Sequence, residues 1–245
     1  MIRSNLSTLE ADGALAVLTL DNGPKNLLTE PEFIQQSVLL DFLRDNPGIK
    51  GLVITGKGRH FSHGADVSLF GDAANNDISR KLEAARTLLR TIERLPILTA
   101  AAIHGGCFGG GLEIALSCQF RICAPNAFLG LTEIMHGVVP GMGGMERLYR
   151  LLGREKALSM CLRGEMLTAQ DALQAGLVTT LCEGKNPLEP AKTFLRELIG
   201  TNTSLQIRTI LETMERAEAG VEDPSKGGFE QVLAEANLSL IHISE

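Results

Sequence analysis

The chain has 245 residues, 44% of them hydrophobic and 21% charged, with a net charge of −6 and no tryptophan. That is enough to bury a sizeable core in one large domain. The acidic balance, with no basic cluster interleaved with aromatics and Tyr149 as the single tyrosine, argues against a nucleic-acid surface. Apolar runs fall far short of a bilayer span, and no charged segment leads into an apolar one at Met1–Leu20, so neither a membrane segment nor a secretory signal is expected. The five cysteines, Cys107, Cys118, Cys123, Cys161 and Cys182, form no C-x-x-C pair. Their odd number and apolar neighbours suit reduced thiols in a cytoplasmic protein.

Leu15–Leu20 reads as a strand. Thr29-Glu30-Pro31-Glu32 is a capping signal that predicts a helix to about Arg44, broken at Asn46-Pro47-Gly48. Gly51–Thr55 is an apolar strand, followed by the loop GKGRHFSHGADVSLF and a helix over Asp77–Leu95. Leu98–Ile103, preceded by Pro96 and followed by glycine, reads as a short buried strand. A helix starting near Gly110–Leu112 and a strand at Phe120–Ala124 come next. From Gly143 onward the pattern is helical, apart from a short strand at Val178–Leu181. Arg147–Lys156, the most basic stretch, alternates with leucines in the manner of a solvated helix face. This alternation predicts an α/β fold with a parallel sheet, helices outside and right-handed crossovers. Glu183–Pro190 is the expected boundary between a core (1–185) and a C-terminal helical part (186–237).

The chemistry is concentrated in residues 101–144. Gly105, Gly106, Gly109, Gly110 and Gly111 permit unusual φ values and close approach of a ligand to the backbone. The first N–H groups of the following helix have no partner within it and point outward, where an oxyanion could sit. The same glycines would also suit a tight strand-to-helix turn. No register of GGCFGGG gives G-x-G-x-x-G, a P-loop lysine is missing, and there is no G-x-S-x-G elbow. Glu113 lies about one turn into its helix, where it could serve the helix dipole; Glu133, in FLGLTEIM, could be an N-cap partner or a solvated loop acid. Together in apolar segments, two carboxylates raise one another's proton affinity and can share acid and base work. In the loop after Gly51–Thr55, Gly64-Ala65-Asp66 could present the Ala65 N–H to the same oxyanion, giving a two-donor hole. His60 and His63 form an H-x-x-H without the setting of a zinc site, and no metal is expected. Cys107 reads as packing.

The strings GRHFSHGAD, HGGCFGGGLEIALSC, FLGLTEIMHGVVPGMGG and LTAQDALQAGLV, in this order and spacing, resemble the crotonase (enoyl-CoA hydratase/isomerase) superfamily over residues 15–199. The resemblance implies a spiral of ββα turns with a C-terminal helical region. It implies that Ala65 and Gly110 N–H groups form the oxyanion hole for an acyl-thioester carbonyl, and that Glu113 and Glu133 are the two glutamates that activate water. Having both acids points to hydration; double-bond isomerisation, decarboxylation, or a non-catalytic thioester-binding protein are the alternatives. Gly64, Gly109, His63 and Asp66 would line the substrate site, with His63 and Asp66 beside the adenine or pantetheine of CoA and Gly141 against the acyl chain. CoA enters only as part of the substrate, no other cofactor is implied, and a carrier-protein thioester is the other partner. A homotrimer or dimer of trimers is implied.

There are two departures. Position 63, small in the family, is His63, which would narrow the CoA entrance or contact a phosphate. GPKNLLT is shorter than the family's pattern, which weakens Lys25 as a phosphate ligand. In addition, Leu238–Glu245 (LSLIHISE) resembles a translated sequencing-library adapter, with a genuine amphipathic end on Leu238, Leu240 and Ile243 as the other reading. On the adapter reading, the natural chain continues beyond Asn237 with helices that cover the site and help build trimers.

Overall fold

The computed structural model describes residues 1–66 and 76–243, with side chains to residue 66 and from 78 to 236. The expected packing of Leu238, Leu240 and Ile243, and the Val67–Phe70 end of the loop after Gly51–Thr55, lie outside the described residues. In chain order, the first half comprises β1 (Ile2–Ser4), β2 (Ser7–Asp12), β3 (Leu15–Leu20), α1 (Gln36–Asp45), β4 (Gly51–Gly56), α2 (Asn76–Glu93), β5 (Leu98–Ile103), β6 (Gly106–Phe108), α3 (Gly110–Leu116) and β7 (Phe120–Cys123). Then come β8 (Phe128–Gly130), a 3₁₀ turn (Glu133–His136), α4 (Gly144–Arg163), β9 (Leu167–Thr168), α5 (Ala169–Gln174), β10 (Thr180–Leu181), α6 (Leu188–Ile199), α7 (Ser204–Glu218) and α8 (Gly228–Ile243).

The large sheet has the order β1-β2-β3-β4-β5-β7-β10. From β3 to β10 neighbouring strands are parallel, as the alternation of elements predicts. The first three strands are antiparallel, so the sheet is mixed. The cause is a tight turn at Gly13 (φ 62°) that brings Leu15 opposite Asp12, a hairpin connection no parallel pair can use. A second, small sheet pairs β6 with β8 and β8 with β9, and Ser62, beyond β4, bridges to Cys107 in β6. Successive turns of the chain thus place one strand in the large sheet and one extended piece in the small one. This is the crotonase spiral.

β4 is buried along its whole length, as expected of a strand covered on both faces. On one face, Leu52, Ile54, Ala101 and Ile103 join the main core with Leu88, Leu89 and Ile92 of α2 and Leu112 of α3. On the other, Val53, Ala100, Ala102 and Ile122 pack with Ala191, Leu195 and Ile199, a stripe at helical spacing on α6. The expected helix from Thr29 starts only at Gln36. The β1–β2 hairpin takes the preceding segment: the Leu6 N–H and the Ser7 hydroxyl both donate to the Phe33 carbonyl. Phe33 and Ile34 are buried there, and Glu32 accepts from the Gln36 N–H at 3.1 Å as the helix's first-turn acceptor.

Two buried arginines escaped the pattern reading. Arg147 is not on a solvated face: its side chain is 5% exposed and pairs with Glu93 of α2. Arg121 in β7 donates only to backbone, to the carbonyls of Leu177 (2.8 Å), Cys118 (2.6 Å) and Gln119 (3.2 Å). It gathers the carbonyls just past α3 and ties them to the chain entering β10. Replacing it with methionine leaves these buried acceptors unmet, so Arg121→Met should lower unfolding free energy by about 3 kcal/mol, read from urea denaturation. A loss below about 1 kcal/mol would mean the carbonyls find other donors.

Candidate active site

The site forms where two glycine loops meet. In the loop after β4, the Ser62 hydroxyl donates to the Asn26 carbonyl (2.7 Å) and accepts from the Gly64 N–H (3.1 Å). Asn26 is buried with φ 47°, and its amide donates to the carbonyls of Lys57, His60 and Phe61. One asparagine in GPKNLLT, a segment that reads as merely short, therefore holds the whole loop 57–64. Lys25 itself is exposed; its carbonyl accepts from the His63 N–H at 3.0 Å. Gly64 (φ 80°) lies so close to the second loop that a Cβ there would sit 2.6 Å from the Phe108 carbonyl oxygen and 2.9 Å from the Gly110 nitrogen.

That second loop ends at Gly109 (φ 52°, ψ −125°), a conformation only glycine adopts readily. Gly110 opens α3, so its N–H has no acceptor inside the helix. A Cβ on Gly110 would lie 3.7 Å from the Ala65 nitrogen, 2.7 Å from Met142 Cε and 2.9 Å from Leu28 Cδ1. The Ala65 and Gly110 amides therefore stand close together beside an apolar wall, an arrangement that can bind one oxyanion.

Both carboxylates reach this place. A Cβ on Gly109 would lie 3.2 Å from Glu133 Oε1. Both Glu133 oxygens are shielded from solvent and have no hydrogen-bond partner among the described residues. Burial, helped by the negative charge of Glu113, raises the Glu133 pKa to about 7. Glu113 is 2% exposed, and one of its oxygens, Oε1, accepts from the N–H groups of Met142 and Gly144, each at 2.8 Å. It caps the start of α4, not of its own helix. Burial raises its pKa too, while the two N–H donors and Arg147 oppose the shift. Gly144 must be glycine, since a Cβ would come within 2.7 Å of Glu113 Cγ.

The remaining predicted positions are spread around this centre. His63 packs edge-on against His60 (centroids 4.4 Å apart) and Phe108 (5.2 Å), with its Nε2 shielded from solvent, and burial lowers its pKa. Asp66 is half-buried at the end of the first loop. Gly141 is beside Met142 but turned toward α2: its carbonyl accepts from Arg86 Nε at 2.7 Å, and a Cβ there would touch Leu82. Cys107 is fully buried, which pushes its thiol pKa well up and leaves it inert packing. No three histidine, cysteine or acidic side chains among the described residues form a metal-binding group. Asn26, Ser62, Met142 and Gly144 were missed as site-builders. Only the repeated glycines of PGMGG signalled any of them.

The fold is that of a crotonase-type enzyme. The sequence matches the enoyl-CoA hydratase/isomerase family over residues 10–236, and the chain belongs to that family. It is 40% identical over 176 residues to a Bacillus subtilis protein named "Probable enoyl-CoA hydratase", covering 71% of this chain and 68% of that one. Among solved structures, an enoyl-CoA hydratase from Bacillus anthracis is similar at 28% identity and TM-score 0.82, covering 94% and 92% of the two chains. DspI of Pseudomonas aeruginosa is similar at 28% identity and TM-score 0.82, covering 96% and 90%. No helix among the described residues is long and apolar enough to cross a membrane.

Glu133 also has a stability signature. Its pKa rises on folding from an ordinary 4.5 to about 7, so the folded chain holds that proton more tightly than the unfolded chain does. The associated stability is present below the unfolded value and lost as pH rises through about 7. Glu133→Gln cannot ionise, so its stability relative to the unmodified chain should increase between pH 5 and 8. Urea midpoints of the two proteins across that range (about three pH units) check this, and parallel curves would remove burial of a charge as the cause.

Proposed function

We propose that the chain is an enoyl-CoA hydratase, a lyase adding water across the α,β double bond of an acyl thioester. The observation that carries this is the convergence of two buried carboxylates, in unlike environments, on paired Ala65 and Gly110 amides. The thioester carbonyl accepts from those two N–H groups, which hold the negative charge that develops on its oxygen as an enolate. Glu113, supplied with two N–H donors, works as the carboxylate: it takes a proton from water as the hydroxyl oxygen bonds to Cβ. Glu133, with no donor and a pKa of about 7, works as the acid and gives its proton to Cα. One water is consumed, and passing a proton from Glu113 to Glu133 restores the pair.

Leu28 and Met142, beside Gly110, offer the acyl chain an apolar wall. CoA, or the equivalent pantetheine of a carrier protein, would run along the loop of His63, Gly64 and Asp66, with Lys25 nearby; Gly141, turned toward Leu82 and Arg86 of α2, would bear on the acyl end only through its neighbour Met142. Exposed Met135, Val139, Leu158, Leu162 and Met166 favour association of copies into a homotrimer or a dimer of trimers. A soluble cytoplasmic enzyme fits this reading.

The test is loss of conjugated-thioester absorbance from crotonyl-CoA, with the product identified by NMR. Glu113→Gln and Glu133→Gln should each lower kcat by about 10²–10⁴-fold with thermal stability retained. Gly64→Ala, which drives a methyl into the Gly110 nitrogen, should lower kcat/KM by about 10²-fold or more. A product with the double bond shifted out of conjugation would replace hydration by isomerisation at the same enolate. Near-normal rates in both glutamine variants would end the two-acid mechanism.

The pH dependence has a definite sign. Because Glu133 must carry a proton, kcat should fall as pH rises past about 7. The apparent values belong to the coupled pair. A rate flat to pH 9 (about two units beyond) would contradict Glu133 as the acid.

A further inference from the structure

The two N–H groups that hold Glu113 come from a turn, 142–144, whose own position needs a cause. The turn contains Gly143 in the left-handed region (φ 92°), and as the N-cap residue of α4 this glycine has no side chain with which to fix the turn itself. What spans it is Arg147. Its Nη1 donates to the Met142 carbonyl at 2.9 Å, and its Nε and Nη2 donate to Glu93 Oε2 of α2 at 3.2 and 3.0 Å. A Cβ on Gly143 would lie 2.7 Å from the same Nη1, so the turn closes directly over the guanidinium. Glu93 is fixed in turn by Arg150 at 2.9 Å. Planar, multidentate geometry of this kind sets orientation as well as charge.

We propose that Arg147 is a positioning residue for the reaction: by spanning Glu93 and the Met142 carbonyl it fixes the turn whose N–H groups hold Glu113 as the ionised member of the pair. The proposal rests on the assignment of Glu113 and Glu133 as the working acids. A buried ion pair is weak evidence of stability by itself. Here its location gives a reason for it: the same Met142 residue accepts from Arg147 with its carbonyl and donates to Glu113 with its N–H. The charged and titratable groups acting on Glu113 are Arg147 and Glu146 of α4 and Glu133 of the 3₁₀ turn, with the Cys161 thiol of α4 nearby. Arg147 is the cation among them that favours the carboxylate.

The test uses the full chain with Arg147→Met and Arg147→Lys, read two ways. Steady-state kinetics on crotonyl-CoA give kcat and KM. A ¹³C-carboxyl titration of glutamate-labelled protein, with the Glu113 signal assigned by its loss in Glu113→Gln, gives the midpoint of Glu113 itself. In Arg147→Met, kcat should fall by about 10²-fold, while KM changes less than about threefold because the Ala65 and Gly110 donors remain. The Glu113 midpoint should move up. Arg147→Lys keeps the charge without the fork, and should recover the midpoint more than the rate. A folded Arg147→Met with normal kcat and an unmoved Glu113 midpoint overturns the proposal. If Arg147→Met does not fold, Arg147→Lys decides: a kcat and midpoint equal to those of the unmodified chain overturn it, and a lowered kcat at nearly unchanged KM supports it. Absence of hydration by the unmodified chain would sink the hydratase reading, while the Glu113 midpoint would still report on Arg147.

Discussion

The buried Glu113 carboxylate, held by the Met142 and Gly144 N–H groups, is the contact on which the site depends. A carboxylate with 2% exposure is expensive in apolar surroundings unless donors meet it. Those donors belong to Met142, in the turn before α4, and to Gly144, its first residue, whose N–H has no acceptor within the helix. Each side thus satisfies the other's deficit. The arrangement fastens α3 to α4, and the chain between them carries β8 and Glu133. The second acid is thereby delivered to the mouth of the Gly109–Gly110 turn by the same contact that places the first.

The two acids differ because their surroundings differ. Glu113 has two backbone donors and a nearby guanidinium; Glu133 has neither, and its neighbour's charge pushes in the opposite direction. Like charges this close do not both ionise easily, so the environment decides which carboxyl keeps a proton. Nothing in the residue type distinguishes them. The difference between the two carboxyls arises at the turn 142–144, whose N–H groups meet Glu113 and not Glu133.

Local features were legible in the sequence and distant ones were not. β3 and β5 lie where the apolar runs place them, and α3 begins at Gly110 within the expected start, because strand period and glycine punctuation act over a few residues. β1, β6, β8 and β9 are two or three residues long, and β2 is half-exposed, so none leaves a periodic signal. The helix signal at Thr29 was sound chemistry overridden by a hairpin pairing elsewhere in the fold. In the candidate site, the glycines and both acids stand out because they fall in adjacent strings of the sequence. The partners of Glu113 lie 29 and 31 positions away and act through backbone N–H groups, which no side-chain pattern reveals. Arg147 looked solvated because helical spacing says which residues share a face, and not what covers that face.

The glycines show why the site is both crowded and specific. A methyl at Gly64 would strike the Gly110 nitrogen; at Gly109 it would press on Glu133; at Gly144 it would strike Glu113. At Gly64 the neighbours are backbone and leave no room for a Cβ, while at Gly109 and Gly144 the glutamate side chains would have to shift, so the Ala65 and Gly110 amides and both acids are closely packed. Close packing excludes water from the spaces between them and keeps the effective dielectric low, which strengthens donor–oxyanion contacts and raises the carboxyl pKa values together. One constraint thus accounts for the glycine-rich strings and the raised proton affinities, and Arg147 opposes the rise at Glu113. Loosening the packing would lower both proton affinities, because burial is the largest cause of each.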